Sequence, residues 1–177
     1  MVTKLNDYDK QQMKAWLREY INELCIHRVM PGTPKLLDTY GKPTYNWQFY
    51  LRRGTFNKTF LTYVGMLFWD MFYDDYTDEA FQIAGLETGS TPLVVGLSMT
   101  STFYSLNPSC FSIRKERKKY GLLNRFEGLY NKDTPIMLVD DMCNSKNSLM
   151  LSKRYCEEEN MPLYKHAFTI VNKDSSN

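Results

Sequence analysis

A chain of 177 residues, 43% of them hydrophobic and 24% charged, has the makeup of one folded domain with a real core, which excludes disorder as its default state. Its 22 basic and 20 acidic side chains leave a formal charge of +2, too little to draw the whole molecule to nucleic acid or a membrane surface, so any anion must be met locally. Cys25, Cys110, Cys143 and Cys156 form no CxxC pair or cysteine–histidine cluster, which argues against structural zinc and fits reduced thiols in a cytoplasmic setting.

Residues 1–7 lack the apolar stretch of a secretion signal, in keeping with a cytoplasmic location. Met13, Trp16, Leu17, Tyr20, Ile21 and Leu24 recur at three- and four-residue spacing and predict an amphipathic helix, with Asp7 or Asp9 to cap it. Pro31, Gly32, Pro34, Gly41 and Pro43 then break the periodicity into a surface loop. Partial alternation of aromatic and polar side chains over 45–51, before Arg52 and Arg53, predicts a strand. A second helix follows, capped by Thr55 and presenting Phe56, Phe60, Tyr63, Val64, Leu67, Phe68 and Met71 as its apolar face. Its most apolar run, 60–69, is about half the roughly 20 residues a membrane span needs. Asp74, Asp75 and Asp78 are expected to form a polar turn.

Beyond that turn short apolar segments at 80–84, 110–113, 135–139 and 164–171 alternate with helical ones starting near Pro92 and spanning about 147–159. Such alternation predicts an α/β fold, a mainly parallel sheet flanked by helices, with the first 75 or so residues as an N-terminal helical and strand subdomain. No repeat or linker divides the sequence, so residues 1–177 are read as a single domain.

Three segments carry chemistry. Ile136-Met137-Leu138-Val139 is a buried-strand pattern followed by Asp140-Asp141, which places two carboxylates at the sheet edge where open α/β sheets bind ligands. Asn144, Ser145, Asn147 and Ser148 then offer amides, hydroxyls and backbone N–H groups at a helix start, a setting suited to phosphate. The plainer alternative is a solvated acidic strand end that caps a helix. The second segment, Gly85-Leu86-Glu87-Thr88-Gly89-Ser90-Thr91-Pro92, links strand to helix; N–H groups at Gly89 and Ser90 can meet an anion, or the segment is an ordinary turn. In the third, five cations stand within positions 114–119, a pattern usually solvated or set against nucleic acid.

The order of these segments resembles a known family. Four apolar residues, two acids, two intervening residues and a small polar loop opening a helix are similar to the ribose-5-phosphate signature of type I phosphoribosyltransferases. The strand ending in Arg114-Lys115-Glu116, with Lys118, Gly121 and then Glu127-Gly128, resembles the catalytic loop of the orotate branch, and Tyr50-Leu51-Arg52-Arg53 resembles an early strand there. The resemblance implies transfer of ribose-5-phosphate from 5-phosphoribosyl 1-diphosphate to a nucleobase, orotate foremost, in a homodimer. It implies that Asp140 and Asp141 hold the ribose hydroxyls directly or through Mg2+, and that Asn144, Ser145 and Ser148 hold the 5-phosphate. It likewise sets Thr88, Gly89, Ser90, Arg114, Lys115 and Lys118 against pyrophosphate. Lys118, Asp141 and Tyr120 would be catalytic, Tyr120 standing where the family commonly has histidine. Asn144, Lys146 and Asn147 occupy positions where the family loop has threonines and glycines, and no lysine lies in the 85–93 segment. These departures keep open a ligand-binding or regulatory protein of the same fold, and nucleic-acid binding through the basic segment is a weaker alternative given the small net charge.

Overall fold

Asn6, ahead of both aspartates expected to cap it, starts the first helix. Its side-chain oxygen accepts the Asp9 N–H at 2.8 Å and satisfies a donor the helix cannot. The computed structural model of the chain describes residues 4–37, 41–43, 46–116 and 124–173. Helix α1 (Asp7–Leu24) leads into β1 (Ile26–Arg28), which pairs antiparallel with β2 (Trp47–Phe49). The second strand is thus three residues long, shorter than the expected 45–51, because the chain turns at Leu51 into the short helix α2 (Arg52–Thr55). Thr55 is therefore inside α2 and caps nothing. Asn57 does, accepting the Phe60 N–H at 3.0 Å to open α3 (Lys58–Asp78). Asp74, Asp75 and Asp78 form the last turns of that helix, in place of the expected polar turn.

The rest of the chain alternates strand and helix: β3 (Gln82–Leu86), α4 (Thr91–Thr100) with a 3-10 turn (Ser101–Tyr104), β4 (Cys110–Ile113), β5 (Phe126–Gly128), β6 (Ile136–Cys143), α5 (Asn147–Glu158) and β7 (Phe168–Asn172). The five strands lie in the order β5-β4-β3-β6-β7, all neighbours parallel except β4 and β5. The last strand starts at Phe168 and not at 164; Tyr164 instead donates its N–H to Ile136 O at 2.9 Å and feeds the chain into the sheet.

Both faces of the sheet are covered, which is why its central strands read as unbroken apolar runs. Ile83, Met137 and Val139 face one core with Phe60, Phe68, Trp69, Leu93 and Leu97 from α3 and α4. The alternate residues Ala84, Leu86, Ile136 and Leu138 face a second core closed by Tyr155 and Cys156 of α5. Trp69, fully buried, donates its indole N–H to Leu97 O at 2.8 Å and so fixes α3 against α4. The small antiparallel sheet is held at the opposite edge: Arg53 donates to Leu24 O at 2.9 Å, and the Lys173 ammonium lies 4.9 Å from the Trp47 ring centroid and 5.3 Å from that of Phe49. Among the described residues no helix is long and apolar enough to cross a membrane.

Candidate functional site

Strands β3 and β6 are adjacent and parallel, so the segments leaving their carboxyl ends share one edge of the sheet. The acidic pair was expected at the end of its strand; β6 continues past it, and its pairing with β7 runs on through Cys143. Asp140 is 7% exposed and its Oδ1 accepts the Asp141 N–H at 2.9 Å. Burial first, then the neighbouring Asp141 carboxylate, pushes the Asp140 carboxyl up to about 6, while a hydrogen bond from Ser148 pulls it the other way.

The 87–90 turn folds tightly back on this pair. A Cβ on Gly85 would stand 2.5 Å from Ser90 Cβ and 2.7 Å from Val139 O, so only glycine lets the turn approach β6 so closely. At Gly89 a Cβ would be 3.5 Å from Asp141 Oδ1, which puts this backbone in reach of whatever the acids hold. Ser90 departs from its expected part. It is fully buried, and its hydroxyl and N–H both point to Leu86 O, at 2.6 and 3.4 Å, so it closes the turn and offers no donor to an anion. The Glu87–Thr88 peptide is cis.

On the other side, residues 144–146 lead into α5. Asn144 and Ser145 are exposed, Ser148 half-buried beside Asp140, and no side chain caps the helix start. The first N–H groups of a helix have no partner within it, which is what an anion site at this end would use. Lys146 has φ 59°, the left-handed conformation that glycine adopts without penalty.

Between the two turns lies a cleft of about 260 Å³, lined by Thr88, Gly89, Lys115, Asp140, Asp141 and residues 144–149. Arg52 lines it too and was not among the expected site residues; its Nη2 donates to Thr88 Oγ1 at 3.4 Å. The Arg-Arg pair after an aromatic strand was the available signal. Arg114 is not in the cleft wall: Glu127 holds it at 3.1 Å and Glu87 stands 3.7 Å away. Glu87, also absent from the expectations, accepts the Lys115 N–H at 3.3 Å as well. Lys118 and Tyr120 lie outside the described residues.

Among the described residues no three metal-ligating side chains cluster. Two adjacent carboxylates nevertheless suit Mg2+, which is commonly held by one or two such groups together with substrate phosphates. Burial, and after it the neighbouring Asp141, raises the Asp140 carboxyl, and a bound cation would favour its charged form.

The strand order, the acidic pair and the two flanking turns define a type I phosphoribosyltransferase fold. Solved structures agree: a phosphoribosyltransferase from Corynebacterium diphtheriae superposes with TM-score 0.73 at 21% identity, covering 93% of this chain and 85% of that one. An orotate phosphoribosyltransferase from Mycobacterium tuberculosis, in complex with 5-phospho-alpha-D-ribosyl 1-diphosphate, gives 0.66 at 18%, covering 90% and 83%. In sequence the likeness runs to the orotate phosphoribosyltransferases: that of Methanocaldococcus jannaschii is 23% identical over 128 residues, 72% of this chain and 67% of the relative. That of Methanothermobacter thermautotrophicus is 32% identical over 100 residues, 56% of this chain and 52% of the relative. The chain thus spans between half and about two thirds of the length of these relatives. No family model matches.

Proposed function

We propose that the protein transfers ribose-5-phosphate from 5-phosphoribosyl 1-diphosphate to a nucleobase, orotate foremost, and releases pyrophosphate. The observation that carries this reading is the placement of Asp140 and Asp141 between two anion-suited turns, 87–89 and 144–148, in one cleft. A sugar with a phosphate at each end has that charge pattern. The uncapped start of α5 with Asn144, Ser145 and Ser148 takes the 5-phosphate, the acids orient the ribose hydroxyls, and Gly89, Thr88, Arg52 and Lys115 meet the diphosphate.

In the reaction the bond from the anomeric carbon to diphosphate breaks, its electron pair leaving with pyrophosphate, and a ring nitrogen of the base supplies the pair for the new bond and loses its proton to solvent. Arg52 and Lys115 stabilise the negative charge that grows on the leaving group. Mg2+ bound at Asp140 and Asp141 would add to that neutralisation. The cytoplasm and a homodimer remain the proposed setting. Exposed Phe56, Val95 and Met99 rim an apolar groove of about 620 Å³, the kind of surface a second copy would cover.

A second reading, donor binding without turnover, is favoured by the capture of Arg114 by Glu127 and Glu87. Incubation with Mg2+, the diphosphate donor and a panel of bases including orotate separates the two. Base-dependent pyrophosphate release supports the transferase, donor binding without release supports the second reading, and the absence of both binding and release overturns both readings.

A further inference from the structure

Lys115 is exposed at the mouth of the cleft, yet its backbone is tied down from three directions. Its carbonyl accepts the Tyr155 hydroxyl at 2.9 Å and Arg125 Nη1 at 3.4 Å; the same Nη1 reaches Arg114 O at 3.4 Å. Its N–H donates to Glu87 Oε1 at 3.3 Å. The Arg125 guanidinium carbon lies 3.6 Å from the centroid of the Tyr155 ring, a stack that holds both donors in place.

A surface carbonyl would ordinarily be satisfied by water, and a tyrosine in the α5 core would need only one partner for its hydroxyl. Neither need explains why an arginine gives up hydration here. Its Nε is buried without a hydrogen-bond partner among the described residues, an unfavourable arrangement that the stack and the two carbonyls offset. What the arrangement does is fix the backbone from which one cleft-lining ammonium projects, so that little freedom is left to lose when an anion arrives. It also joins the helix that begins at the 5-phosphate end to the residue at the diphosphate end.

We propose that Tyr155 and Arg125 are positioning residues that hold Lys115 against the diphosphate of the ligand; this rests on the phosphoribosyl reading of the cleft. Neither side chain touches the ligand. Both act through Lys115.

The test is a double-mutant cycle on the affinity for 5-phosphoribosyl 1-diphosphate with Mg2+, measured by calorimetry on the wild type, Tyr155→Phe, Lys115→Ala and the pair combined. Tyr155→Phe keeps the ring and the stack and removes one hydrogen bond, so binding should weaken about threefold to tenfold with the melting temperature nearly unchanged. In the Lys115→Ala background the same change should have no further effect, which a merely structural tyrosine would not produce. Arg125→Lys, which keeps the charge but loses the planar stack, should behave like Tyr155→Phe. Wild-type binding with an unaltered Tyr155→Phe affinity, or a fully additive cycle, overturns this inference alone. Failure of the wild type to bind the donor overturns the phosphoribosyl reading and this inference together.

Discussion

Asp140 occupies an unfavourable place for a carboxylate, 7% exposed beside a second acid. Its folded value of about 6 exceeds that of an unfolded aspartate near ~3.9, so the folded chain binds this proton more tightly. The stability this proton confers is complete below about pH 4 and is lost as pH rises through about 6. Urea unfolding of the metal-free protein should therefore show a fall in stability between those values that Asp140→Asn lacks, leaving the variant the more stable of the two at pH 7. Parallel pH profiles would contradict this. Lys146 is a second residue held against its preference, at φ 59°. Lys146→Gly should raise stability by about 0.5–1 kcal/mol in the same assay, through relief of the left-handed backbone. That serine and lysine would serve the turns so differently was not legible in their identities. Ser90 looks like an anion donor until its hydroxyl is seen on Leu86 O.

Elements were legible where a local pattern reports burial, and illegible where distant partners decide. Strand β4 matches its expected 110–113, where Phe111 and Ile113 are buried in one core and Cys110 packs against the other. The acidic pair was expected to end β6, because the apolar run stops there. Pairing of Asp140 with Thr169 and of Met142 with Val171 carries the ladder past it, and β7 lies nearly thirty residues on. Strands β1 and β5, three residues each, are too short to show a period. Thr55 and Asn57 are equally good caps in isolation, and burial of Leu51 ahead of α2 decides between them. The turn between β3 and α4 is the element on which the site most depends, since it brings Gly89 to the acids. Gly85→Ala should cost about 1–3 kcal/mol in unfolding free energy, because the new methyl meets Val139 O and Ser90. An unchanged denaturation midpoint would show that the close approach is not required.

At the scale of the whole molecule, the parallel sheet and its two helix layers bring together residues more than fifty positions apart, Gly89 and the acidic pair among them, with Arg52 further still. The sequence order of the motifs anticipated most of this convergence, because in a parallel sheet successive strand ends return to the same edge. It could not anticipate that Arg114 would be held by Glu87 and Glu127, a contact made across two strands. The proposed function requires the acidic pair to hold the sugar of a phosphoribosyl diphosphate. Its most direct test is calorimetric titration of the wild type and of the Asp140→Asn, Asp141→Asn double variant with that compound and Mg2+ at pH 7. The melting temperature of the double variant, measured beside the titration, separates lost binding from unfolding. Affinity should fall by more than about tenfold, the loss expected from removing charged hydrogen-bond partners. Equal affinity would contradict it.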